Sequence, residues 1–138
     1  MEAVTLGHGV QTATISNAAP PSGTDPYEGG SFDVSLWAPG LTVTQSVFIF
    51  GFSGLGLYFS ELAEAWRGWA GTKVWESPEH HLTIEATSDG GSRVELKLTV
   101  RNGPVYTWTS SIEVQVEAGE EMARITRDIE HLLSATSA

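Results

Sequence analysis

The sequence predicts an α+β domain in which an antiparallel β-sheet of about six or seven strands carries two helices on one face, in the order β-β-β-β-α-β-β-β-α. Three observations predict it. Short runs of alternating apolar and polar residues lie on both sides of a central stretch, Gly51 to Gly71, whose apolar spacing is helical instead. A second helical stretch begins at Gly119 and runs to the end of the chain. Neither helical stretch has a second apolar stripe, so each must lay its one stripe on a sheet.

The first strands are short. Residues 2–6 and 10–16 alternate (Val4, Leu6; Val10, Thr12, Thr14) and read as edge strands. Residues 17–30 hold prolines and glycines that sustain neither strand nor helix, so they read as a mobile or functional loop. Phe32, Val34 and Leu36 then alternate with Asp33, Ser35 and Trp37, which is a half-buried strand with Trp37 on its outward phase. Ala38-Pro39-Gly40 reverses the chain, because Pro presets φ and Gly accepts positive φ. Leu41 to Phe50 forms the return strand, more apolar toward its end.

The central helix is expected over 54–70. Leu55, Phe59, Leu62, Trp66 and Trp69 recur at helical intervals and form its apolar stripe, while Glu61, Glu64 and Arg67 fall on the other side. Gly71 is its expected C-terminal cap. Trp66 and Trp108 are assigned to the core. Lys73 to Pro78 reads as a connector, followed by a three-stranded meander. In it Leu82, Ile84, Ala86, then Val94, Leu96, Leu98, Val100, then Ile112, Val114, Val116 share the inward phase, with Tyr106 and Trp108 at the start of the third strand. Inward residues must oppose inward residues, so a short Gly90–Ser92 loop sets Glu85 opposite Lys97. A similar loop at Asn102–Pro104 sets Arg93 opposite Glu113. In the last helix Met122, Ile125, Ile129 and Leu132 share one stripe, and residues 134–138 are expected to fray. The sequence carries no internal repeat.

Charge narrows the function classes. The 138 residues hold 7 Lys and Arg against 17 Asp and Glu, a net charge of −10, and no Lys or Arg precedes Arg67. Nucleic-acid binding needs clustered cations, so it is disfavoured, whereas attraction to a basic protein is physically reasonable. With no cysteine there is no disulfide or thiol chemistry. The start shows no basic and apolar leader pattern, and the dense apolar run Val47–Phe50 is far too short for a bilayer. A cytoplasmic address and no membrane partner are expected.

The chemical motifs are weak. Gly51-Phe52-Ser53-Gly54-Leu55-Gly56 sits between strand and helix, but its spacing fits neither a dinucleotide fingerprint nor a P-loop. Leu55 stands where a nucleophile elbow needs its final glycine. The stretch therefore reads as a hinge. Glu79-His80-His81 joins the histidines to an acid, yet adjacent strand residues point to opposite faces, and His8 and His131 are far away in sequence. No metal, cofactor or catalytic set is assigned.

In Trp66-Arg67-Gly68-Trp69, Trp75-Glu76-Ser77, the run Leu82 to Thr87 and the run Gly119 to Ile125, the chain resembles a family of small bacterial proteins common in high-GC filamentous bacteria. The likeness covers most of residues 30–133. That family is known only as a domain of unknown function, so the resemblance implies no activity. The layout and length are also similar to those of Wap-type immunity proteins of bacterial toxin systems, which implies neutralisation of a cognate toxin by binding.

The expectation is thus a non-catalytic acidic interaction protein, an immunity-type inhibitor of a basic toxin domain. Its candidate partner-binding residues are Trp37, Glu61, Glu64, Trp69 and Trp75. The alternative is a small ligand-binding module or enzyme with a pocket between helix 54–70 and the sheet. A structural subunit of a larger complex is the third reading.

Overall fold

The computed structural model describes residues 3–19, 29–50, 53–103, 105 and 107–134. Most of the 17–30 loop, Gly51, Phe52, Tyr106 and the tail beyond residue 134 lie outside them. Strands β1 (Ala3–Leu6), β2 (Thr12–Ala19), β3 (Gly29–Ala38) and β4 (Leu41–Phe50) form one antiparallel meander, followed by helix α1 (Ser53–Glu64). Strands β5 (Thr72–Glu76), β6 (Leu82–Ser88), β7 (Arg93–Arg101) and β8 (Thr109–Glu117) form a second one, followed by α2 (Glu120–Ser134). The α+β class agrees with the sequence, but a single sheet of six or seven strands does not: the described chain has eight strands in two sheets. The architecture repeats itself without any repeat in the sequence.

Two physical causes explain the difference. Strand β5 was hidden in the expected connector because its side chains lack a buried phase: Val74 is exposed, and Lys73 and Trp75 are only half-buried. Its backbone still pairs with β6 from Thr72↔Thr87 to Glu76↔Thr83. Alternation also reports which face of a strand is buried, not which sheet the strand joins. Here α1 separates β4 from β5, and each meander closes on its own.

The hairpins follow from local chemistry. Pro39-Gly40 is the two-residue turn between Ala38 and Leu41, with Gly40 at φ 80°, the pairing that a type II turn requires. Strand β2 runs on to Ala19 where a loop was expected, through an irregularity after Ser16 in which Asn17 takes φ 52°. In the second sheet Asp89 Oδ1 accepts from the amides of Gly91 and Arg93, closing the short loop that sets Glu85 opposite Lys97 as expected. The next pairing differs. Arg93 stands opposite Glu117, and Glu113 opposite Lys97, because the strands separate at Arg101 and resume only at Thr109. Asn102 holds that longer loop, accepting from the Trp108 amide and donating to Thr107. The displacement is an even number of residues, so the inward phase survives it.

The inward residues of both sheets and the stripes of both helices form one core, including Leu6, Ile15, Phe32, Leu36, Phe59, Leu62, Leu96, Met122 and Ile129. Helix α2 touches β1, β2 and β8, and α1 packs along α2. Thr126, buried at that contact, places Oγ1 2.8 Å from Met122 O and 3.1 Å from Phe59 O, so its proton is shared between its own helix and α1. Strand β8 also approaches β2 and β3; a Cβ added at Gly7 would come within 2.7 Å of Val114 Cβ. Among the described residues no helix is long and apolar enough to cross a membrane.

Candidate interaction surface

Helix α1 is shorter than its apolar spacing suggests. It ends at Glu64, and the chain turns at Gly68, which takes φ 103° and donates its amide to Ala65 O. Gly68 is thus the residue that breaks the helix, ahead of Gly71. The assignment of Trp66 to the core fails for this reason: past the helix end its ring is 53% exposed. Trp108, also assigned to the core, stands in the loop before β8 and is exposed as well. Periodicity extends a stripe without seeing where the backbone stops being helical.

Within the helix, Leu55, Phe59 and Leu62 are buried, and the opposite stripe presents Leu57, Glu61 and Glu64 to solvent. Helix α1 meets β5 at two points. Gly54 lies at Trp75, with 3.8 Å between a built Cβ and the indole Nε1, and Tyr58 donates to Lys73 O at 2.9 Å. The four-residue step from Gly54 to Tyr58, about 6 Å, matches the two-residue step from Trp75 to Lys73, about 7 Å, so the two contacts stay in step. Burial, with Glu85 and Glu61 adding to it, pushes the Tyr58 phenol well above its ordinary range. Tyr58 therefore remains a hydrogen-bond donor under all physiological conditions.

The expected partner-binding residues divide between two surfaces. Glu61 and Glu64 are exposed on α1. Trp69 and Trp75 are half-buried and packed against the core, Trp75 at the Gly54 end of α1, and Trp69 Nε1 donates to Ala86 O at 3.3 Å. Cations face two of the rings: Arg67 lies 4.9 Å from the Trp66 ring centre and Lys73 Nζ lies 5.7 Å from that of Trp69. Trp37 is elsewhere. It is 49% exposed on the outward face of β3, turned away from the core as its phase predicted. Sequence reasoning missed Leu57 and Trp66. A helical projection through Glu61 and Glu64 already places Leu57 on their face; Trp66 required the true helix end.

The glycines of the 51–56 stretch do not form the expected hinge as far as they are described. Gly54 and Gly56 lie inside α1, and a Cβ on Gly56 would sit 3.5 Å from Glu130 Cγ on α2. They permit close packing on β5 and α2.

Between α1, β4 and β5 lies a cleft of about 180 Å³ lined by Ile49, Phe50, Gly54, Leu55, Trp75, Glu76 and Pro78. That is below the roughly 300–1,000 Å³ typical of small-molecule sites. At its rim His80 Nδ1 stands 2.8 Å from Glu76 Oε1, and Thr83 donates to the other carboxylate oxygen at 2.9 Å. The hydrogen bonds from Thr83 and His80, with the nearby charge of Arg101, hold the Glu76 carboxyl below its ordinary range. Arg101 Nη1 in turn reaches Thr83 Oγ1 and His80 O. His80 takes φ 64° in the tight β5–β6 turn, where Ser77 and Leu82 bond to each other through backbone and Ser77 Oγ. The fold does not gather the histidines: His8 pairs with Glu121 at 3.3 Å, and His131 lies on α2. Among the described residues no group of three or more His, Cys, Asp or Glu could hold a metal ion.

Neither a curated protein nor a solved structure matches the chain. Residues 9–136, which hold both helices, all of β2 to β8 and the surface just described, match a family of unknown function, and the chain belongs to that family, DUF6228.

Proposed function

We propose that the protein is a non-catalytic interaction protein that binds a basic protein partner, in the manner of an immunity-type inhibitor of a basic toxin domain. One observation carries this reading. The exposed stripe Leu57, Glu61 and Glu64 sets two carboxylates beside an apolar anchor, with the exposed Trp66 just past its end. Interfaces draw most of their energy from buried aromatic and apolar anchors, while peripheral charges steer encounter and select the partner. The net charge of −10 adds long-range attraction for a cationic surface.

The test uses the protein encoded beside this chain's gene, produced alone and together with it. The expected result is a stable complex whose association slows as salt rises, and protection of growth when the neighbour is toxic. Glu61→Lys with Glu64→Lys should weaken the complex about a hundredfold, and Trp66→Ala about tenfold. Absence of a complex, or affinity that neither salt nor these substitutions change, would overturn the proposal.

A further inference from the structure

The two sheets turn very different faces to solvent. The outward positions of the second sheet are heavily charged, with Glu85, Glu95 and Glu113 beside Arg93 and Lys97. The outward face of the first sheet is hydroxyl. Thr5 and Thr14 face each other at 3.2 Å, and Ser35 and Thr44 at 2.9 Å. Thr12 and Thr42 flank Trp37, and Ser16 and Ser46 flank Asp33. Among the described residues of these strands Asp33 is the one acidic or basic residue, and Asn17 donates to it at 2.9 Å.

Aromatic rings stand at both ends of this polar track. Trp37 closes the end near the β3–β4 turn. At the other end Phe48, opposite Ser31, meets Phe50 edge-to-face with centroids 4.9 Å apart, and Phe50 is 63% exposed. At about 3.3 Å per strand residue, the two aromatic ends are roughly 20 Å apart, with Asp33 roughly 13 Å from Trp37.

We infer that this face is a binding platform for a neutral, linear oligosaccharide. Sugar hydroxyls both donate and accept, as Ser and Thr hydroxyls do, while Asp33 accepts and Asn17 does both. The C–H face of a pyranose ring stacks on the negative face of an aromatic ring, and two such platforms in line suit an extended chain. An anionic polymer would find no Lys or Arg among the described residues of these strands. An extended peptide takes its hydrogen bonds from a strand edge and its anchors from apolar pockets; this face presents side-chain hydroxyls between the rings instead. Its residues are not those of the α1 stripe, and the inference does not rest on the proposed function.

The experiment titrates the intact protein with cellohexaose, chitohexaose, xylohexaose, maltohexaose and mannohexaose, by calorimetry and by the NMR signal of the Trp37 indole. At least one should bind saturably, move that signal, and do so equally at low and high salt. Trp37→Ala should weaken binding about tenfold, and Asp33→Ala several-fold. Trp37→Phe, which keeps a stacking ring, should retain most of the affinity. Unchanged thermal midpoints in these exposed-site variants separate lost binding from lost fold. Glu61→Lys with Glu64→Lys should leave sugar binding unaltered. Failure of all five sugars to bind, binding indifferent to Trp37→Ala, or steep salt dependence would overturn the inference. So would a Trp37 signal that moves only with an extended peptide.

Discussion

Single side chains here tie helix to sheet through backbone carbonyls. Tyr58 gives its phenol proton to Lys73 O, with Ile84 O at 3.4 Å. Tyr58→Phe should therefore cost about 0.5–1.5 kcal/mol in urea unfolding, the usual net worth of one hydrogen bond. The folded protein holds this proton more tightly than the unfolded chain, whose phenol titrates near pH 10. Stability linked to Tyr58 is thus complete below about pH 10 and declines as pH rises beyond it, a decline that Tyr58→Phe should abolish. Glu117 has the opposite sign. Its carboxylate accepts from the Gly119 and Glu121 amides, while Glu121 Oε1 accepts the Glu117 amide, a reciprocal cap at the start of α2. Those backbone amides depress its pKa. Its contribution is present at neutral pH and is lost as pH falls through the depressed value, so Glu117→Gln should flatten the acid limb of a stability–pH profile.

At the scale of elements, α1 stops where Gly68 lets the chain enter positive φ, and two of its glycines serve packing. These roles predict opposite outcomes for the same substitution. Gly56→Ala adds a methyl at ordinary contact distance from Glu130 and removes a helix-interior glycine, so it should stabilise by about 0.5–1 kcal/mol. Gly68→Ala puts a Cβ at φ 103° within 2.9 Å of Ser88 Oγ, so it should destabilise by more than about 1 kcal/mol. Thermal unfolding of the two variants distinguishes a helix that runs through residue 56 and breaks at 68 from one that continues to 70. The β7–β8 register belongs to this scale too. Parity was legible in residues 94–116, but the number of residues in the turn was set by Asn102, whose side chain ties the amide of Trp108 and the hydroxyl of Thr107.

For the whole molecule, one core joins two meanders and both helices. Phe59 is fully buried in it, and Phe59→Ala should cost about 3–5 kcal/mol. Because the core is shared, hydrogen exchange should accelerate together in β3 and β7 rather than in one sheet alone. Exchange confined to the second sheet would show that the meanders are held separately. The same arrangement sets the two surfaces on different elements: the acidic α1 stripe belongs to a helix packed on α2, while Trp37 faces away from the core on the first sheet.

By itself the sequence determined the class of the fold, the buried phase of β3, β6, β7 and β8, the α2 stripe, the Leu55, Phe59 and Leu62 part of the α1 stripe and the outward position of Trp37, because each rests on spacing within a few residues. It also determined that no Lys or Arg precedes Arg67. In β2 the buried side chains are Ala13 and Ile15, not the alternating set Val10, Thr12 and Thr14. Only the tertiary structure decided that the strands divide into two sheets, that Thr72–Glu76 is a strand, that Trp66 and Trp108 are exposed, and that Arg93 faces Glu117. Those outcomes depend on backbone pairing and on where turns begin and end, and hydrophobic spacing carries no record of either.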